Sequence, residues 1–286
     1  MSGLDVVDGR TLLTARCFET PGAGLSLIEW RDRLETSTPD TPDHQSPPRN
    51  RHAHRVVADL TEPATLRAAF DGTARVFAMT TMESERGTAG EVADGIAIAE
   101  AAKAASVRHL VYSSVGGAER QAGIPHFESK REVEQYIQRL GIPATFVRPT
   151  FFYENLLAGP PAPQDGTITV RLPLPDGIPL QMVAVADIGI VAAAVLIDPS
   201  RVSADAVEIA GDELTGAQIA AIFGHQAAMP ARYEPLPLDA AGDDDMRAMF
   251  SWFTNLPAYQ ADRALTAELD PQVQSFEQWL GRTWSA

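Results

Sequence analysis

Cysteine is almost missing from this chain. Cys17 is the only one among 286 residues, so no internal disulfide can form, and the residue reads as a small buried hydrophobe in a reducing compartment. Basic side chains are scarce too. Lys and Arg number 23 against 38 Asp and Glu, a net charge of −15, and a field of that sign repels a phosphate backbone. With no basic stripe to offset it, the composition argues against direct nucleic-acid binding. No apolar run reaches the ~18 residues of a membrane-spanning helix. The opening MSGLDVVDGR also lacks the basic-then-apolar order of a secretion signal, so a soluble, cytoplasmic protein is expected. His44, His52 and His54 have no cysteine or patterned carboxylate beside them, and they read as part of a surface polar tract with no metal.

Residues 107–155 hold the clearest organisation. His109-Leu-Val-Tyr-Ser113 is an apolar, β-branched run that ends in the turn Ser114-Val-Gly-Gly117, the pattern of a buried strand leaving a sheet. From Glu128 to Leu140, the residues Val133, Tyr136, Ile137 and Leu140 recur at helical spacing, and Gly141 follows as a stop. A second apolar run, Ala144-Thr-Phe-Val147, delivers Arg148-Pro149-Thr150 and the aromatics Phe151, Phe152 and Tyr153. Two strand ends framing one helix start is how an open α/β sheet builds a ligand crevice.

These residues resemble the NmrA-like branch of the atypical short-chain dehydrogenase/reductases. The resemblance rests on SSVGGAER, HFESK and the segment from Gly141 to Asn155. It continues through Val185-Ala-Asp-Ile-Gly189, Ala210 to Ile219, Ala258 to Asp262 and Ser275 to Leu280. It implies a Rossmann-like parallel sheet flanked by helices, with a smaller C-terminal substrate lobe. The expected division is a core over 1–155, with a polar Pro-rich loop at 36–55, and remaining core elements plus the lobe over 156–286.

The family's proton-transfer pattern is Tyr-x-x-x-Lys, in which a lysine holds the nicotinamide ribose and lowers the pKa of a phenol. Lys130 matches the lysine, and four residues earlier His126 stands where the tyrosine would be. An imidazole exchanges protons near neutrality, so His126, Lys130 and Ser114 are the catalytic candidates. Tyr112 reads as a buried strand residue, not an acid. The resemblance implies NAD or NADP as cofactor, with Thr80, Thr81, Ser113, Lys130, Pro149 and Thr150 along its crevice. It also implies a small-molecule substrate lined by Phe151, Phe152, Tyr153, Asn155, Met249, Phe250 and Phe253. Ordinary packing is the competing reading for the aromatics, as strand propensity is for Thr81. If no dinucleotide binds, Lys130 is free to hold a substrate oxygen or to pair with Glu134.

The N-terminal part departs from this pattern. Arg10 to Thr14 reads as a first strand, but Ala15 to Gly24 contains no G-x-x-G-x-x-G turn for a pyrophosphate. Phe18 and Glu19 put bulk and negative charge there instead. An ordinary turn before a helix from Leu25 to Leu34 is the expected local structure. Residues 36–55 hold Pro39, Pro42, Pro47 and Pro48 with hardly an apolar side chain, a solvated loop where the family has a second strand. Either the first β-α-β unit has diverged past recognition or the reading frame has changed locally.

From Arg55 the pattern returns. Strands are expected at Arg55 to Ala58, Arg75 to Thr80, Ile168 to Val170, Met182 to Val185 and Val207 to Ala210. Helices are expected at Glu62 to Phe70, Glu91 to Ala105, Ile188 to Ile197 (capped by Asp187) and Thr215 to Phe223.

Three functions remain open: an NAD(P)H-dependent reductase of a quinone, enone or polyketide-like molecule; a non-redox cyclase, coupling or proton-transfer enzyme; and a ligand-sensing protein without catalysis.

Overall fold

The computed structural model describes the backbone of residues 13–17 and 25–29, and residues 58–159, 161 and 163–284. In chain order the strands are β1 (Leu13–Cys17), β2 (Leu25–Glu29), β3 (Arg75–Met79), β4 (His109–Ser113), β5 (Ala144–Pro149), β6 (Phe151–Phe152), β7 (Ile168–Val170), β8 (Leu180–Val183), β9 (Ala206–Ile209), β10 (Asp212–Leu214) and β11 (Ala231–Tyr233). The helices are α1 (Pro63–Phe70), α2 (Gly87–Ala104), α3 (Pro125–Leu140), α4 (Val185–Ile197), α5 (Gly216–Ala227), α6 (Asp244–Phe253), α7 (Arg263–Leu269) and α8 (Phe276–Thr283).

The main sheet has the order β2-β1-β3-β4-β5-β9. Strands β3, β4, β5 and β9 run parallel, so their C-terminal ends share one edge. Their buried centres (Val76 to Ala78, Leu110 to Tyr112, Thr145 to Pro149) fit the near-continuous apolar runs of a sheet covered on both faces. On one face Leu66, Phe70, Ile98, Ala102, Val133 and Ile137 join α1, α2 and α3 to the strands. Small side chains let α2 and α3 pack closely. A Cβ on Gly95 would lie 2.4 Å from Val133. On the other face Val111, Val147 and Val207 meet Ile188, Val191 and Val195 of α4. This is the expected Rossmann-like α/β sheet.

The lobe has its own core. Strands β6, β8 and β10 form one small sheet, and β7 with β11 another. Phe223, Phe250, Phe253, Phe276 and Trp279 pack there together with Ile124 and Phe127 from the start of α3. The N-terminal turn of α3 is therefore where core and lobe meet.

Several expectations need correcting. The first strand expected at Arg10 to Thr14 holds Leu13 and Thr14 and continues to Cys17, while residues 10–12 lie outside the described residues; it runs antiparallel to β3, with Arg16 opposite Val76 and Cys17 opposite Arg75. Leu25 to Glu29 is a strand paired antiparallel with β1, not the start of a helix. Leu25, Leu27 and Ile28 with polar Ser26 and Glu29 suit a strand as well as a helix over so short a span. Helix α3 begins at Pro125, where a proline needs no N–H, so His126 is helical. Asp187 lies within the first turn of α4, whose cap is Ala184; its carboxylate accepts from the backbone N and Nε2 of Gln274. The loop at 36–55 and the strand residues 55–57 lie outside the described residues, and Ala58 is not in a strand. No helix among the described residues is long and apolar enough to cross a membrane.

Candidate active site

Lys130 sits on α3, facing the C-terminal ends of β3 and β4. Its Nζ is 2.8 Å from Glu91 Oε1 and donates to the Thr80 carbonyl oxygen at 2.5 Å. Glu91 comes from α2 and its side chain is 1% exposed, against 14% for Lys130. A carboxylate that deep needs its charge paired and its lone pairs filled. Ser129 Oγ donates to Glu91 Oε2 at 2.5 Å, and Thr80 Oγ1 donates to Oε1 at 3.3 Å. Thr80 Oγ1 also shares a 2.6 Å hydrogen bond with the Tyr112 hydroxyl. Burial, reinforced by Glu91, holds the Tyr112 phenol well above its ordinary pKa. Tyr112 is therefore a buried neutral donor, and the Lys130 ammonium lies 5.5 Å from the centre of its ring.

One turn earlier, His126 is held by a residue of the lobe. Its Nδ1 hydrogen-bonds Asp245 Oδ2, and its backbone N donates to Asp245 Oδ1 at 3.0 Å. The ring is 18% exposed and Asp245 14%. Burial lowers the His126 pKa below 6.5, and the nearby Lys130 adds to that; Asp245 and Glu91 oppose it. Burial is the largest cause, so the imidazole is neutral at pH 7. Above this turn Phe127 meets Trp252 edge-on at 5.4 Å and stacks with Tyr259 at 6.5 Å. The loop after β4 is pressed under the same rings: a Cβ on Gly116 would lie 2.8 Å from Tyr259, and one on Gly117 2.7 Å from Trp252.

The sequence-derived candidates thus divide. His126, Lys130 and Thr80 share one cluster with Glu91, Ser129, Tyr112 and Asp245, four residues the sequence reading did not place in the site. Lys130 pairs with Glu91 and not with Glu134, whose carboxylate is taken by Arg148 (2.9 and 2.8 Å) and Arg131 (2.8 Å). Ser114 Oγ, at the end of β4, is buried with no hydrogen-bond partner among the described residues. Ser113 is half-buried at the same strand end. Thr81 Oγ1 accepts from the Glu83 backbone N at 3.1 Å. Pro149 ends β5, and Thr150 Oγ1 donates to the Ile209 carbonyl at 3.1 Å.

Of the aromatics, Phe151 packs edge-on against Phe250 and Phe253, beside buried Met249 in the lobe core. Tyr153 is wholly buried against Phe276 and Trp279, and its hydroxyl donates to the Gln274 carbonyl at 3.1 Å. Phe152 and Asn155 are exposed. Nothing in the sequence singled out Glu91, because the same helix also carries the acids Asp94 and Glu100. Among the described residues no group of three His, Cys, Asp or Glu is placed to hold a metal.

Residues 45–280 match the NmrA-like family. The chain belongs to that family. Among NmrA-like relatives, an NAD(P)H azoreductase of Xenophilus azovorans is 32% identical over 192 residues, 67% of this chain and 64% of the relative. The match therefore spans just under two thirds of that protein. Solved structures share the fold at lower identity. The negative transcriptional regulator NmrA superposes with a TM-score of 0.68 at 21% identity, covering 81% of each chain. An NADPH-dependent quinone oxidoreductase of Escherichia coli, complexed with NADPH, gives 0.66 at 22%, covering 82% of this chain and 84% of that one.

A nicotinamide dinucleotide is the cofactor this fold implies. The described residues fit only part of it. Thr80, Lys130 and the Ser114 hydroxyl, which has no partner among the described residues, are the groups at the strand ends that would hold a nicotinamide ribose. Among the described residues no turn faces that edge to receive the pyrophosphate half. Because β1 runs antiparallel to β3, the chain leaves β1 at Cys17 beside Arg75, at the edge of the sheet opposite Thr80. A phosphate-binding turn must follow a strand whose C-terminal end faces the crevice. The described residues do not fit a dinucleotide bound in the fold's ordinary way.

Proposed function

We propose that this NmrA-like protein is a small-molecule enzyme that moves a proton on an apolar, oxygenated metabolite of the quinone, enone or polyketide-like class. The observation that carries this reading is His126: neutral, half-buried, fixed through Nδ1, and one helical turn from the ammonium of Lys130. A neutral imidazole accepts a proton at Nε2 and returns it, and a neighbouring cation stabilises negative charge that develops on a substrate oxygen. The aromatic roof of Trp252 and Tyr259 suits a flat apolar ligand. Phe152 and Asn155 are the exposed members of the wall proposed for it.

The relatives favour a second reading, an NAD(P)H-dependent reductase of the same substrate class. Against it stand the absence of a G-x-x-G-x-x-G turn from Ala15 to Gly24 and the antiparallel direction of β1. Each charge-assisted hydrogen bond lost there costs about 1.5–3 kcal/mol. Two or three such losses, roughly 4 kcal/mol or more, turn a micromolar site into a millimolar one.

Titration of the purified protein with NADPH and NADH, followed by fluorescence and heat, separates the two. The expected outcome is no binding below millimolar cofactor, with deuterium exchanged into cyclic enones or quinones in heavy water without it. Micromolar binding with NADPH consumption would replace this reading by the reductase. Ligand binding with neither exchange nor reduction would leave a sensor.

A further inference from the structure

The pairing of His126 with Asp245 joins two elements far apart in the chain, and both carboxylate oxygens go to the one residue. Helix α6 does not need Asp245 for itself. Its cap is Asp243, whose carboxylate accepts from the Met246 backbone N at 2.8 Å, and Asp244 pairs with Arg247. Helix α3 does lack a side-chain cap of its own, since Ile124 occupies that position. Asp245 supplies it from the lobe through Oδ1, at 3.0 Å from the His126 backbone N. One oxygen would suffice for capping. The second, Oδ2, accepts from Nδ1.

We infer that Asp245 is a positioning residue of the site: it holds His126 as the Nδ1–H tautomer and leaves Nε2 as the proton acceptor. The inference rests on the proton-transfer role proposed for His126. The ring's hydrogen bond is made at Nδ1. In the step, Nε2 takes a proton from a substrate C–H or O–H bond, whose electron pair stays on the substrate. The imidazolium keeps its Nδ1 proton against the Asp245 carboxylate, then returns the Nε2 proton to the product. Nothing is oxidised or reduced. The charged groups acting on the ring are Asp245 of α6, Glu91 of α2 and Lys130 of α3. Because Asp245 belongs to the lobe, the site is complete only when α6 is seated on α3.

The test is nitrogen NMR of the His126 imidazole in the full chain, in the native protein and in Asp245→Asn. The native ring is expected as Nδ1–H at pH 7.5. An asparagine amide can donate to Nδ1, so the variant is expected to shift toward Nε2–H. In the deuterium-exchange assay with a cyclic enone, Asp245→Asn is expected to lower kcat about tenfold, part of the ~100- to 10,000-fold that general acid–base catalysis supplies, with KM changed less than twofold. Loss of the neighbouring negative charge should also move the acid limb of the rate profile to lower pH, and Asp245→Glu should recover part of the rate. A native Nε2–H ring would overturn the inference, and that measurement needs no variant to fold. So would an Asp245→Asn ring with unchanged tautomer and acid limb. A purely structural role would lower the melting temperature and leave the acid limb in place. His126→Gln with full exchange activity, alongside the expected NMR result, would remove the proton-transfer reading while leaving the His126–Asp245 geometry intact.

Discussion

Asp270 stands at the C-terminal cap of α7, and its Oδ2 is buried with no hydrogen-bond partner among the described residues. A negative charge there opposes the helix dipole, and burial raises its pKa above the ordinary carboxylate value. A group whose pKa is raised on folding favours the fold while protonated, and that contribution is lost as pH rises through the folded pKa. Asp270→Asn keeps the acceptor for the Gln272 backbone N and removes the charge. It should raise stability at pH 7 by about 1 kcal/mol. Denaturant melts should show the gain fading as pH falls toward about 3.9, where an unfolded aspartate is itself protonated. At Lys130, loss of the ammonium by Lys130→Ala strands the Glu91 carboxylate at 1% exposure. Both activity and stability should therefore fall, whereas His126→Gln should cost activity alone. The family's Tyr-x-x-x-Lys pattern pointed to Lys130 and His126 as candidates, and the two do stand one helical turn apart on α3. Their partners were not legible, because Glu91 and Asp245 reach them from other helices and a contact across 119 residues leaves no local pattern.

Among the elements, those with one buried face and clear ends were legible. Helix α3 shows Val133 and Ile137 buried and Gly141 at a φ of 64° closing it, as its apolar spacing implied. Helix α5 carries a reciprocal Thr215–Gln218 capping box. The turn after β4 shows why the glycines there matter. Gly117 has a φ of 84° and faces Trp252 at 2.7 Å from where a Cβ would stand, so Gly117→Ala meets both backbone strain and the lobe. A left-handed non-glycine residue costs roughly 1–2 kcal/mol. The clash must also lift Trp252 from Phe127, so the variant should melt earlier and show red-shifted tryptophan emission. An unchanged spectrum would mean that the lobe does not rest on this turn. The charge ladder behind it was not legible: Glu134 is fully buried between Arg148 and Arg131. Glu134→Ala, which leaves Arg148 buried beside a single partner, Glu119, should destabilise by about 3–5 kcal/mol.

For the whole molecule, the direction of one strand bears on the proposed choice of ligand. The parallel strands β3, β4, β5 and β9 build a crevice edge that carries Thr80, Ser114, Lys130 and His126. An ordinary dinucleotide site would add the turn after β1 to that same edge. Here β1 points the other way. The sequence showed the loss of the glycines; it could not show the reversal, because Leu13–Cys17 would serve either direction equally. If Thr80, Ser114 and Lys130 are the nicotinamide-side groups proposed for the family's site, they stand here beside a reversed β1, and the two halves of that site should be separable. Replacing the residues before Ala58 with the first β-α-β unit of the azoreductase relative should then restore a cradle facing Thr80 and Lys130. The chimera is expected to bind NADPH at micromolar concentration where the native chain does not, and Lys130→Ala in the chimera should weaken that binding again. A folded chimera without cofactor affinity would mean that the Glu91–Lys130 pair has closed the nicotinamide half as well, leaving the crevice to the substrate alone.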